Sequence, residues 1–389
     1  MRSGGVGRAG QRGMTAGAIC TDLPAAAAGG PPQQRPGRDC DVLGWDIGGA
    51  HVKVALLRNG RLFDAMQWPC PLWQGLQHLE QVLAAASARW PGLRGWRHAV
   101  TMTGELVDLF EHREDGVRRI AERVAASLPQ ATFFAGDAGW CSAAQAAAMW
   151  PQIASANWLA TARHAATVFA PDEGLLVDIG STTTDLIAFR GGRVLTTSRS
   201  DADRLAQGEL VYHGVVRTPL CALARRIAWQ GRALNVMNEF FATTADVYRL
   251  TGELDPTHDQ QPSADQAPKD RAHTQARLAR MIGLDARDGS DDDWLAFARA
   301  WRAEQLSELR GQLQRVAAGQ GLGSAPALLV AAGCGAFLVP SLVPPGWHWR
   351  TYRDAVVPMA PAAVAGAAGW ADAVAPAVAV AALCAQEAG

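Results

Sequence analysis

The sequence predicts an α/β protein of two duplicated domains with a cleft between them, and three observations predict it. A short acidic hairpin signal occurs twice, strands alternate with helices behind it, and a late buried strand runs into a Gly-x-Gly turn.

The first copy reads Asp46-Ile47-Gly48-Gly49-Ala50, between the apolar run Val42 to Trp45 and the strand-like Val52 to Leu57. The second reads Asp178-Ile179-Gly180-Ser181-Thr182-Thr183-Thr184-Asp185, between Leu175 to Val177 and Leu186 to Phe189. Each is strand, tight turn, strand, with an acid and small residues at the tip. Glycine there frees the backbone and admits a bulky anion close to the amide groups. Clustered N–H donors form an anion nest, and a flanking aspartate can hold a divalent cation. A phosphate cradle is therefore expected at Gly48, Gly49, Gly180, Ser181, Thr182 and Thr183. One such hairpin is a weak signal. Two at domain-length separation indicate a duplicated domain around a phosphorylated ligand.

A first domain is expected over residues 39–155. Its hairpin is followed by a loop rich in Trp and Pro (Trp68, Pro69, Pro71, Trp73), then a helix with apolar positions Leu76, Leu79, Val82 and Leu83. His98 to Thr103 reads as a buried parallel strand ending in Gly104-Glu105. Glu114 to Leu128 reads as a helix, and Ala131 to Ala135 as a strand ending in Gly136-Asp137. Ligand crevices of parallel sheets lie beyond the carboxyl ends of the strands, which makes Glu105 and Asp137 candidate acid–base residues. An acid capping a helix N-terminus is the plain alternative for Glu105.

The second domain is expected over residues 156–389. A helix over 154–169 leads into its hairpin, and His164 on that helix reads as an ordinary core or surface histidine. A returning strand follows over 192–197, then helical segments. Residues 251–274 are polar, and the insertion near 255–275 is expected as a surface excursion or mobile lid. Ser290 with Asp291 to Asp293 caps a helix whose apolar face runs from Trp294 to Leu313. Ala327 to Ala332 is the late strand; Gly333 and Gly335 behind it are expected to open a helix whose amides face a nucleotide or phosphate.

The chain has 389 residues, which suits two domains, and a net charge of −1, which excludes the basic footprint of a nucleic-acid binder. Seven dispersed cysteines without a CxxC pair fit a reducing cytosol and a cytoplasmic protein. Residues 1–38 are mostly Gly, Arg, Ala, Pro and Gln, read as a disordered extension with Met14 as an alternative start. The apolar run Ala373 to Cys384 falls short of the ~20 residues of a membrane span and reads as a buried helix, so no membrane partner is expected.

The two hairpins and the late Gly-x-Gly strand together resemble the actin-like (ribonuclease H-like) ATPase superfamily, and within it the hydantoinase/oxoprolinase branch. Longer strings resemble its methanofuran-biosynthesis synthases: Thr101 to Leu106, Ser155-Ala156-Asn157-Trp158, Asp178 to Asp185, Gly208 to Pro219, and Asn238 to Tyr248. The resemblance covers Asp41 to the C-terminus. His51 and the polar stretch Asp255 to Lys269 depart from the pattern.

That resemblance implies a transferase in one-carbon metabolism with methanofuran-like and tetrahydromethanopterin cofactors. It would join a furan-methanamine diphosphate to a γ-glutamyltyramine-like phenol and expel pyrophosphate. The leaving diphosphate needs neutralising; Asp46, Asp178 and Asp185 are the candidate Mg²⁺ ligands, with Lys53 and Arg217 as phosphate partners. A solvated lysine and an interdomain salt bridge are the alternatives for those two cations. The phenol, with a free pKa of about 10, needs a base: Glu105 first, Asp137 second. Asn157, Thr243, Thr244 and Asp246 are pocket residues by resemblance alone. The same loops would serve an ATP-dependent small-molecule kinase or a ring-opening amidohydrolase, so ATP stays open as a cofactor. A sugar-sensing repressor would need a basic helix-turn-helix, which the Gly/Pro-rich residues 1–38 do not form. Oligomeric state, homo-oligomer included, is left open.

Overall fold

The computed structural model describes residues 41–323, 326–356 and 358–387. The extension read over residues 1–38, with Met14, lies outside them.

The first sheet opens with β1 (Asp41–Ile47), β2 (His51–Arg58) and β3 (Arg61–Pro69) as an antiparallel meander. Strands β4 (Arg97–Met102) and β5 (Ala131–Phe134) then add in parallel beside β1, and β6 (Trp140–Ser142) closes the far edge. The order is β3-β2-β1-β4-β5-β6. The Trp/Pro loop was expected to start at Trp68; instead the chain stays extended to Pro69, an edge position where proline leaves no ladder donor unpaired. Helices α1 (Gln77–Arg89) and α2 (Arg113–Ser127) cover the outer face and bury Leu79, Val82, Val117 and Ile120.

The second sheet repeats this plan. Strands β7 (Glu173–Ile179) and β8 (Thr184–Arg190) form its hairpin, and the third place is shared by β9 (Arg193–Val194) and β10 (Leu210–Val211), both on β8. After a separate hairpin of β11 (Arg226–Trp229) and β12 (Arg232–Asn235), β13 (Leu328–Ala332) and β14 (His348–Thr351) add in parallel beside β7. Two actin-like sheets with a cleft between them is the architecture the sequence predicts.

Helix α3 (Asn157–Val168) links the lobes, and the C-terminal helix α8 (Ala375–Gln386) lies beside it. A single buried core joins both helices to the inner faces of both sheets: Val42, Ala55 and Ala99 on one side, Leu176, Ile187 and Val330 on the other. The approach of α8 to β1 is very close, because a Cβ at Gly44 would sit 1.8 Å from the Ala377 carbonyl oxygen. Its alanines permit that distance, while Val378 and Val380 each contribute about 2 kcal/mol of apolar burial. The C-terminal chain thus returns to the first sheet: Leu62 and Ala360 exchange backbone bonds with their partners there, and Val364 donates to the Phe63 carbonyl.

The outer layer of the second lobe holds α4 (Asp201–Gln207), α5 (Thr244–Thr251), α6 (Arg271–Arg280) and the long α7 (Asp291–Gly319). Ser290 and Asp293 form the capping box at the start of α7, and Trp294, Phe297 and Trp301 pack inward, with Trp229 stacked on Trp294 at 4.3 Å. Among the described residues no helix is long and apolar enough to cross a membrane, and the five described cysteines are free.

The polar insertion is packed across to the first lobe. Gln260 bonds Gln67, Gln261 bonds the Ala50 carbonyl and the His51 ring, and the His258 ring lies 4.8 Å from Trp370. Asp259 is held by Arg249 and Lys269, and Asp265 by Arg277 and Arg280.

Candidate active site

The two hairpins have one geometry. In the first, Asp46 pairs across the strands with Lys53 and the Gly48 amide donates to the His51 carbonyl at 2.9 Å. In the second, Asp178 pairs with Asp185 and the Gly180 amide donates to the Thr183 carbonyl at 2.8 Å. Both tips point into one cavity of about 340 Å³.

Lys53 Nζ lies 3.4 Å from Asp46 Oδ2 and carries favourable charge interactions with both Asp46 and Asp178. Burial pushes the Asp46 and Asp178 carboxyls up, Asp178 to about 7, against the pull of Lys53. Asp46 lines the cavity, and its Oδ1 is buried without a hydrogen-bond partner among the described residues. Asp185 is ion-paired to Arg204 of α4, whose guanidinium also stacks over Trp158 at 4.4 Å. Asp178 does not reach the cavity wall, and among the described residues no group of three His, Cys, Asp or Glu gathers closely enough to hold a metal. Of the three aspartates expected to hold an ion, Asp46 and Asp185 line the cavity, each paired to a cation of the protein, Lys53 and Arg204, and Asp178 lies behind them.

The second tip is the more open cradle. Ser181, Thr182 and Thr183 line the cavity, and Arg217 Nη1 stands 3.4 Å from Thr182 Oγ1 with its guanidinium over the Trp73 ring at 5.3 Å. The segment 213–217 wraps the tip: Val215 donates to the Gly180 carbonyl, Val216 and Arg217 to that of Ser181. Gly214 is required there, because a Cβ would come within 2.4 Å of the Ser181 carbon and the Thr182 nitrogen. Its carbonyl is held in turn by Gln305 of α7, which also accepts from the Tyr248 hydroxyl. Gly48 and Gly49 line the opposite wall with His51, whose burial among cations lowers its pKa to about 3 and keeps it neutral.

Glu105 follows β4, as expected, but it is almost fully buried and does not line the cavity. Burial raises its pKa to about 7. Ser155 does line the cavity, and its Oγ lies 2.9 Å from Glu105 Oε1 and 3.1 Å from Asp201 Oδ2. Ser155 sits at φ +52°, a left-handed conformation costing a non-glycine residue on the order of 1 kcal/mol. Asp201 is further paired to Arg113 and Arg204. Asn157 opens α3 with its side chain at the cavity wall beside Asp46.

Several expected residues lie elsewhere. Asp137 is exposed outside the cavity and bridges Arg163 and Arg199. The Arg199 hydrogen bond foremost holds its carboxyl below the usual range, so the base role expected of it has no support in its position. Gly333 and Gly335 do not present amides to a ligand: their N–H groups are spent on the Asp372 and Ile179 carbonyls, and only the 3-10 turn Ala336–Ser341 follows. Thr243, Thr244 and Asp246 are buried away from the cavity. Thr243 and Asp246 form the capping box of α5, Asp246 accepts from Arg249 and Arg277, and the Thr244 amide donates to the Thr218 carbonyl. They buttress the Arg217 segment. His164 is a core residue 2.7 Å from the Tyr352 hydroxyl. Sequence reasoning missed Ser155, Asp201, Arg204, Leu106 and Tyr212 at the cavity, although all but Asp201 and Arg204 fall within the strings that carried the resemblance.

Residues 97–353 match the family model described as Hydantoinase/oxoprolinase. A curated relative from Methanocaldococcus jannaschii, (4-{4-[2-(gamma-L-glutamylamino)ethyl]phenoxymethyl}furan-2-yl)methanamine synthase, is 30% identical over 277 residues, 71% of this chain and 82% of that protein. A protein of the same name from Methanococcus vannielii is 32% identical over 124 residues, 32% of this chain and 55% of that protein. Among solved structures, a ROK family glucokinase from Streptomyces griseus with glucose and AMPPNP aligns at TM-score 0.41 and 12% identity, covering 88% of this chain and 98% of that one. The (R)-2-hydroxyglutaryl-CoA dehydratase component A of Acidaminococcus fermentans aligns at TM-score 0.42 and 10% identity, covering 90% and 98%.

Proposed function

The chain belongs to the hydantoinase/oxoprolinase family, and within it we propose that this protein forms the aryl ether of a methanofuran-type cofactor. The phenoxymethyl-furan link in the relative's name is an ether between a phenol oxygen and a furfuryl carbon. A furan-methanamine diphosphate and a γ-glutamyltyramine-like phenol are the substrates from which that bond is made with loss of pyrophosphate.

One observation carries the reading: a single cavity is lined by a hydroxyl- and amide-rich tip with Arg217, by Lys53 of the first hairpin, and by Ser155, whose hydroxyl is linked to a buried carboxylate. The second tip and Arg217 grip the diphosphate, with Arg217 suited to a two-pronged contact. Lys53 adds positive charge where the leaving oxygen develops negative charge. The furfuryl carbon spreads its developing positive charge into the ring, so the protein's tasks are to hold the leaving group and to place the phenol oxygen. Asp46, which lines the cavity, is the carboxylate that would meet a Mg²⁺ ion, which usually takes one or two carboxylates and completes its shell from substrate phosphates. Bound there, the ion would offset charge on the diphosphate.

The test is incubation of purified protein with Mg²⁺, the phenol and the furan-methanamine diphosphate in the absence of ATP. Pyrophosphate release with appearance of the ether mass is the expected outcome. Product formation only with ATP, accompanied by ADP, would replace this reading by an ATP-dependent kinase or amidohydrolase.

A further inference from the structure

Ser155 stands between the buried Glu105 and the cavity, with its hydroxyl bonded to that acid. We propose that Ser155 Oγ accepts the proton of the acceptor phenol while passing its own hydroxyl proton to Glu105, an inference that rests on the ether-forming reading.

Three observations carry it. First, Ser155 Oγ is within hydrogen-bond distance of two carboxylates, Glu105 Oε1 and Asp201 Oδ2, yet has one proton to give. Arg113 from α2 and Arg204 within α4 both pair with Asp201. Glu105 has no cation bonded to it; its second oxygen, Oε2, is buried without a partner among the described residues. Charges facing Glu105 are Arg113 from α2, which favours ionisation, and Asp201 from α4, which opposes it. Glu105 is thus the carboxylate of the triad without a bonded cation, and burial places its titration at about 7.

Second, Ser155 is a non-glycine residue in left-handed conformation at the cavity wall. A turn that needed only this backbone would be served better by glycine. What serine adds is the hydroxyl.

Third, the cavity beside Ser155 is bounded by apolar groups from both lobes. Leu106, next to Glu105, is 48% exposed, and Tyr212, in the field of Asp201 and Arg113, is 51% exposed. These are walls for an aromatic acceptor, and they line the same cavity as Ser155 and the anion-binding tips.

The step balances as follows. The phenol oxygen forms its bond to the furfuryl carbon as the carbon–oxygen bond to diphosphate breaks, its electron pair leaving with the diphosphate. The phenol proton moves to Ser155 Oγ and the serine proton to Glu105 Oε1, whose carboxylate becomes neutral. No oxidant or reductant is involved.

The experiment compares wild type, Ser155→Gly and Glu105→Gln by pyrophosphate release across pH 5.5–9, with thermal unfolding as the folding control; general acid–base loss sets the scale at about 10²-fold. Glycine suits φ +52°, so Ser155→Gly is expected to stay folded and yet lose about 100-fold in kcat, with KM for the diphosphate little changed. Wild-type kcat is expected to fall as pH drops through about 7, and Glu105→Gln to lose both rate and that limb. Ser155→Gly within about threefold of wild type, or an acid limb that persists in Glu105→Gln, would overturn the relay alone. A wild-type protein that releases no pyrophosphate would overturn the ether-forming reading and the relay with it.

Discussion

The two lobes share a sheet plan and a hairpin, and differ in what each places at equivalent positions. Opposite the hairpin aspartate the first lobe has Lys53 and the second has Asp185. The first therefore contains its own counter-charge, whereas the second borrows Arg204 from α4. At the tips, Gly48-Gly49-Ala50-His51 is covered by the insertion through Gln261, while Gly180-Ser181-Thr182-Thr183 leaves its hydroxyls at the cavity. Beyond the fourth strand the first lobe buries Glu105, and the second tucks Gly335 under the Ile179 carbonyl. The turn is common to both lobes; Lys53 and the buried acid Glu105 stand in the first, and the hydroxyl-bearing tip with Arg217 stands in the second.

Exchanging the hairpin charges should break that division most severely. Lys53→Asp gives the first hairpin the pattern of the second without an Arg204 to answer it, leaving buried carboxylates facing one another. A loss of about 3–5 kcal/mol in unfolding free energy is expected. Urea unfolding followed by tryptophan fluorescence reads it, and a loss below about 1 kcal/mol would mean the two hairpins are interchangeable in charge.

The buried acid beyond β4 gives the next effect. Glu105 has a folded-state pKa of about 7 against a reference of 4.5, so its unfolded form ionises first as pH rises. Its contribution is fully present below about 4.5 and declines as pH rises toward 7. Glu105→Gln should therefore gain roughly 3 kcal/mol over wild type at pH 8 and almost nothing at pH 4.5. Equal differences at both pH values would show that Glu105 does not titrate in this window.

Glycine substitutions sharpen the contrast between the tips. Gly214→Ala drives a Cβ into the backbone of Ser181 and Thr182, which cannot yield, and is expected to cost 1–3 kcal/mol and weaken diphosphate binding about tenfold. Gly49→Ala meets only the end of the Val107 side chain, at 2.7 Å, and should cost under about 1 kcal/mol. Calorimetric titration with the diphosphate substrate and thermal unfolding measure both.

The hairpins were legible because acid, glycine and apolar flanks sit at fixed spacing, and Lys53 and Arg217 reach the cavity as read. Helices α1, α2 and α7 were legible from their apolar periodicity and caps. Gly333 and Gly335 misled because a strand-end Gly-x-Gly looks the same whether its amides face a ligand or a carbonyl. Thr243 to Asp246 looked functional because a capping box and a buried ion pair constrain residue identity as strictly as a pocket does. Asp137 stands at a strand end, but β6 turns back beside β5 and carries it away from the cleft. Nothing local marks Ser155, whose role depends on an unusual φ and on Asp201 arriving from the other lobe.

The smallest expected effect concerns the insertion, which reaches the first tip and not the second. Gln261 Nε2 donates to the Ala50 carbonyl at 3.3 Å, and that carbonyl also receives the Cys70 amide at 2.9 Å. Gln261→Ala removes two part-buried contacts of one amide nitrogen, to the Ala50 carbonyl and the His51 ring, together worth about 1 kcal/mol. Because the loss is local, it should appear in amide exchange rather than in the global transition: faster exchange at Cys70 and Gly48, with the Gly180 amide unchanged. Exchange that quickened equally at Gly180 would mean the insertion steadies both lobes together, and the asymmetry between the tips would then lie in their side chains alone.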